Sequence, residues 1–119
     1  MILVVRHLTA FRYPEGAAGV ALRLKLLPQS FEGQRVIDWH VSVDGVEVEH
    51  WITGGYGERF AQWLDRRPRD SLDIVAWGQV ETKDRSGVVS GLRRPCAPAV
   101  FLRDTPLTQA DEAILALGD

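Results

Sequence analysis

With 119 residues, 45% of them hydrophobic and 25% charged, the chain can bury one core but not two, so a single globular domain is expected. A net charge of −2 with both signs interspersed excludes the electrostatic footprint of a nucleic-acid binder or an anionic-membrane binder. The lone Cys96 excludes an internal disulfide and points to a reducing compartment, which makes the cytoplasm the expected location.

Met1 to Val5 is apolar, but Arg6 and His7 interrupt it before a secretory h-region can form. No later run approaches the roughly 20 apolar residues of a membrane span. Ile2 to Tyr13 alternates like a strand, with His7, Thr9, Phe11 and Tyr13 on one face and Leu8, Ala10 and Arg12 on the other. Pro14-Glu15-Gly16 is expected to end it, because proline cannot donate to a ladder. A second strand is expected over Val20 to Leu27, its aliphatic face being Val20, Leu22, Leu24 and Leu26, and Pro28 closes it. Gln29 to Gly33 reads as a loop.

Arg35 to Ile52 carries the sharpest local signal, since Asp44-Gly45 between alternating valines is a two-residue hairpin turn. Pairing Val43 with Val46 then sets Val41 opposite Val48, Trp39 opposite His50 and Ile37 opposite Ile52 on one face. The other face receives Ser42 with Glu47, His40 with Glu49 and Asp38 with Trp51. His50 is expected to be buried, near Gln62. Gly54-Gly55-Tyr56-Gly57 reads as the tip of a further hairpin, followed by a strand over Arg59 to Leu64. In that strand Phe60 and Leu64 are expected to face inward and Trp63 outward.

Arg66 to Asp70 reads as a solvated turn, its arginines bracketed by Asp65 and Asp70. Leu72 to Glu81 alternates as a long last strand in which Gly78 marks a bulge or a close backbone approach. Trp39 and Trp77 are expected in the core. The pattern predicts an all-β fold, an antiparallel β-sandwich of about six to seven strands in meander order over residues 1–83, with a C-terminal linker and a short helix. An extended arm rich in Gly and Pro follows over 84–107. Thr108 then opens a capping box with Asp111, so residues 108–119 read as the start of a helix leading to an absent domain.

Chemistry is sparse. Cys96 sits in Arg94-Pro95-Cys96-Ala97-Pro98, where prolines oppose the helix N-terminus that usually activates a thiol, although Arg93 and Arg94 would favour a thiolate. His40 and His50 fall on opposite faces of the expected sheet and cannot share a metal, and His7 is a lone candidate. Glu47 and Glu49 share no cleft that would separate two pKa values. Gly54 to Gly57 lacks the lysine and the helix of a phosphate loop. No catalytic, cofactor-binding or metal residue is assigned, and no cofactor is expected. Trp51, Tyr56, Trp63 and Phe101 are the candidate interface residues, with a stand-alone glycan- or peptide-binding module as the alternative use of Trp51, Tyr56 and Trp63.

These segments, taken in order, carry a resemblance. Val5-Arg-His-Leu-Thr-Ala-Phe-Arg-Tyr13, Leu22-Arg-Leu-Lys-Leu-Leu-Pro28, the Gly54 to Gly57 hairpin, Val80-Glu-Thr82 and Phe101-Leu-Arg-Asp-Thr-Pro-Leu-Thr108 resemble the N-terminal domain of bacterial transglutaminase-like proteins. Where that family shows an Asp-x-aromatic-Gly-Asn turn, this chain has Gly54 at the Asp position and Glu58 at the Asn position. The resemblance implies a non-catalytic β-sandwich placed before a papain-like domain that carries a Cys-His-Asp triad for thiol acyl transfer or amide hydrolysis. No residue here matches that triad. The partner it implies is that downstream catalytic domain of the same parent chain, and a homo-oligomer stays open.

Overall fold

The computed structural model describes residues 1–93 and 96–117, so the role expected of Arg94 lies outside the described residues. Seven strands form: β1 (Ile2–Ala17), β2 (Val20–Leu24), β3 (Gln34–Val43), β4 (Val46–Glu47), β5 (Ile52–Thr53), β6 (Arg59–Asp65) and β7 (Arg69–Thr82). The all-β, antiparallel expectation holds. Two sheets are built, one in the order β1-β7-β3-β4 and the other β2-β6-β5. The meander order does not hold, because β7 lies between β1 and β3. A strand at the end of the domain thus pairs with the one at its start.

Strict alternation in β7 explains its central place. Leu72, Ile74, Ala76 and Val80 are buried on one face, the period-two pattern of a half-buried strand. β1 runs along it without a slip from Ile2 opposite Glu81 to Arg12 opposite Ser71. Pro14 to Gly16 does not end β1. Those residues form an irregularity between Arg12 and Ala17, which proline tolerates on an edge strand, and Gly16 turns there with φ of 71°.

On the other side of β7, β3 pairs from Gln34 opposite Thr82 to Val43 opposite Ile74, with a bulge between Val36 and Asp38. The glycine expected to mark a bulge or a close approach marks the close approach, and the bulge lies in the facing strand, β3. A Cβ on Gly78 would meet the Asp38 carbonyl oxygen at 2.3 Å and the Trp39 Cα at 2.8 Å. Trp39 lies over this gap, packs against the core and donates its indole N–H to the Leu26 carbonyl at 2.8 Å.

The core joins the sheets: Val41, Val43, Leu72, Ile74 and Ala76 of the first meet Val20, Leu24 and Ala61 of the second. The aliphatic face of β2 is the one expected, although the strand stops at Leu24 and leaves Leu26 and Leu27 to pack as loop residues.

The Asp44-Gly45 turn forms as expected, both residues having positive φ (47° and 78°), with Val43 opposite Val46 and Ser42 opposite Glu47. The ladder does not continue to Ile52. After Val48 donates to Val41 at 2.8 Å, the chain leaves the first sheet and β5 joins the second, pairing Ile52 with Phe60. Trp51 drives the departure: it packs against the core and donates its indole N–H to the Val48 carbonyl at 2.8 Å, closing the bend. His50 is consequently exposed rather than buried opposite Trp39.

Three further expectations are corrected. Cross-strand partners share a face, and Leu22 and Leu24 pair with Trp63 and Ala61, so Ala61 and Trp63 face the core while Leu64 is exposed. Phe60 is buried as expected, but on the outer face, beneath the Arg23 guanidinium at 3.8 Å from its ring centre. Trp77 is not core. It alternates with Ala76 to the outer face, where His40 stacks on it with ring centres 5.2 Å apart. His40 meets Glu47 at 2.6 Å rather than Glu49, because the ladder ends there.

Candidate functional site

The expected interface residues divide into two groups. Trp51 and Trp63 are half-buried and pack against the core, so they serve the fold first. Tyr56 and Phe101 are more than half exposed and lie together, ring centres 5.5 Å apart.

Tyr56 owes its position to the hairpin tip. Gly54 N–H donates to the Glu58 carbonyl at 2.7 Å and Gly57 N–H to the Gly54 carbonyl at 3.0 Å, and Gly57 alone of the tip glycines takes a positive φ. Glu58 then folds back over the turn. Its carboxylate accepts from the Tyr56 N–H at 3.1 Å and lies 3.5 Å from the Lys25 ammonium. The hydrogen bond from its own backbone N–H, with those from Tyr56 and Lys25, holds its pKa below the usual carboxylate range. A Cβ at Gly54 would sit 2.5 Å from that carboxylate, so a side chain there would push Glu58 off the turn.

Phe101 comes from the arm. Pro98–Leu102 forms a 3-10 turn with proline at its start, a position that needs no N–H donor. Upstream, the arm is tied to the loop before β3: Glu32 N–H donates to the Ser90 carbonyl at 3.1 Å and Ser90 Oγ–H to Glu32 Oε2 at 2.6 Å. Farther along the arm, Phe101 lies against Tyr56. A hollow of about 560 Å³ opens there, lined by Gln29, Tyr56, Leu92, Arg93, Cys96 and Phe101, and another of about 480 Å³ is lined by the same aromatic pair together with Val100 and Arg103. A groove of about 670 Å³ runs past the β3 bulge between Pro28, Asp38, Trp39 and Arg59.

Farther along, the helix is shorter than expected. It spans Glu112–Leu115, and Asp111 rather than Thr108 caps it, accepting from the Ile114 N–H at 2.9 Å. Thr108 instead closes a preceding turn by accepting from the Thr105 N–H at 3.0 Å. Asp111 already has the extended backbone of an N-cap, and its carboxylate is a strong acceptor for the first-turn donors. Leu107, Leu115 and Leu117 are exposed.

Among the described residues no group of three His, Cys, Asp or Glu side chains converges, and no histidine is hydrogen-bonded to Cys96. His7 lies exposed on β1 opposite Ala76. What composition and spacing missed is the ion network at the opposite end of the sheets. Buried Asp65 accepts from Arg67 and from Arg69, the latter at 2.7 Å, and Arg69 also pairs with Asp44. The Arg67 side chain first, then its backbone N–H and the Arg69 side chain, hold Asp65 far below the usual carboxylate range. The bracketing acids were the available signal, since alternating signs in a turn favour pairing as readily as solvation. Among the described residues no helix is long and apolar enough to cross a membrane.

This architecture, with β1 closed on β7 around a glycine-tipped hairpin, coincides with a family match: residues 3–81 match the bacterial transglutaminase-like N-terminal region. The chain belongs to that family. No curated protein and no solved structure matches it. The matched span takes in the strands from Leu3 of β1 to Glu81 of β7. The arm, with Phe101 to Thr108, lies outside the matched residues of this transglutaminase-like N-terminal region.

Proposed function

We propose that the chain is a non-catalytic β-sandwich domain that packs beside a downstream transglutaminase-like catalytic domain, with a structural or interaction role. One observation carries the reading: the arm leading out of the family-matched strands folds back onto their hairpin tip, where the Phe101 ring packs at a tilt of 45° against Tyr56. An aromatic pair with exposed edges that lines two hollows suits a docking surface, where aromatic residues are enriched. In this reading residues 1–83 are the core, 84–107 the arm and 108–119 the start of the connection. The lone cysteine supports a cytoplasmic setting.

Two measurements test the proposal. Reading the gene past Asp119 is expected to reveal a Cys, a His and an Asp in frame, and a stop codon there would remove the proposed partner. The purified chain is expected to show no thiol-dependent amidase or transamidase turnover. Activity lost on Cys96→Ala would overturn the non-catalytic reading. The glycan- or peptide-binding alternative requires Trp51 and Trp63 as an open platform, and their packing against the core argues against it.

A further inference from the structure

The long edge of the first sheet is open and almost undefended. β1 pairs with β7 on one side, and among the described residues no strand pairs with its other side. Met1 and Thr82 exchange reciprocal hydrogen bonds, each 2.7 Å, and the register then runs unbroken from Ile2 opposite Glu81 to Arg12 opposite Ser71. Antiparallel ladders alternate, so Leu3, Val5, His7, Thr9 and Phe11 direct their backbone groups to β7. Ile2, Val4, Arg6, Leu8, Ala10 and Arg12 aim theirs at the open edge.

Edge strands are normally blunted by charge, proline or a bulge. Here the proline and the irregularity fall after Arg12, and Arg6 is the sole charge from Ile2 to Phe11. Ile2, Val4 and Leu8 are exposed on the outer face, at 60%, 80% and 47%, and Leu3 and Phe11 on the inner.

We propose that this edge binds a second copy of the chain, β1 against β1 in antiparallel, with the two-fold axis at Leu8. Charge and ladder length together select the register, since centring on Val5 avoids like charges but pairs fewer residues. Centring on Arg6 sets Arg6 against itself, centring on Thr9 sets Arg6 against Arg12, and centring on His7 stacks two imidazoles. The Leu8 register avoids all three: Arg6 faces Ala10 of the second copy, Arg12 faces Val4, and Val5 faces Phe11 on the inner side. Like charges directly opposite destabilise a strand pair, whereas apolar pairs stabilise it. Val4 to Arg12 then contributes about ten backbone hydrogen bonds, as many as a typical protein interface carries. The product is a sheet of eight strands continuous through both copies.

Sedimentation velocity on the full chain from roughly 1 to roughly 200 µM is expected to show a reversible dimer. Leu8→Lys, which places two ammonium groups at the axis, is expected to raise its Kd about tenfold or more. Val46→Lys, on the opposite edge, leaves it unchanged. In a Cys96→Ser background, Leu8→Cys is expected to cross-link with a short bismaleimide, and Arg6→Cys and Ala10→Cys, each far from its own copy, several-fold less. This comparison decides the register even if Leu8→Lys fails to fold. A monomer across the whole range overturns the proposal. So does a dimer that cross-links equally at all three positions, or one that Val46→Lys dissolves.

Discussion

Gly78 and Gly45 each resist substitution, for different physical reasons and to different degrees. At Gly78 the obstacle is backbone: a methyl group would overlap the Asp38 carbonyl, which cannot swing away without breaking the β3 bulge. Gly78→Ala is expected to cost about 2–3 kcal/mol, the range of an overpacked core. A Cβ on Gly45 would meet nothing within 4 Å, so Gly45→Ala loses only through its positive φ, about 1 kcal/mol. Urea denaturation of the two variants separates the causes, and equal losses would show that close approach is not what fixes Gly78. Asp65 gives the pH prediction. Its folded pKa lies below its ordinary value near 3.9, so its contribution is complete above that value and is lost as pH falls toward the depressed one. Asp65→Asn is therefore expected to lower Tm at neutral pH and to flatten the acid limb of stability. Glu58 and Glu81, also depressed, keep that limb from vanishing. Thermal melts from about pH 2 to about pH 7 check both effects.

Elements set by adjacent residues are legible in the amino-acid order itself. The Asp44-Gly45 turn, the aliphatic face of β2 and the alternation of β7 each depend on neighbours a few positions away. Pairing between distant segments is not legible in the same way. Alternation alone leaves the choice of inward row in β6 open, and only its pairing with β2 makes that row Ala61 and Trp63. Trp77 resembles a core residue in size, whereas its parity with Asp73 and Gln79 already places it on the polar face. The switch of sheets after Val48 is hidden because it depends on Trp51 turning back over its own chain. Tyr56 and Phe101 stand out by composition, but their meeting depends on the path of the arm. Trp51→Ala is expected to cost about 2–4 kcal/mol, as the loss of a large packed aromatic does. Near-native stability combined with lost ligand binding would instead restore the recognition-module reading.

For the whole chain, a radius of gyration of 18.9 Å exceeds the roughly 13.5 Å of a compact domain this long. The excess fits two features: a long edge strand, β1, whose side chains are mostly exposed, and an arm whose larger apolar residues are mostly exposed. Because the arm adds little buried surface to the core, deleting residues 84–119 is expected to preserve the far-UV signature of the sheets and to lower stability by no more than about 2 kcal/mol. A truncated chain that fails to fold would show that the ties at Ser90 and Phe101 belong to the core.

The union of β1 with β7 also sets a timetable for synthesis. Phe11 has Leu72 as its partner, and Ile2 has Glu81. At about 5–20 residues per second, a ribosome needs several seconds to supply the second strand after it has made the first. During that interval an apolar stretch is exposed along both of its edges, and the nascent chain is an obvious client for a holding chaperone until the last strand arrives.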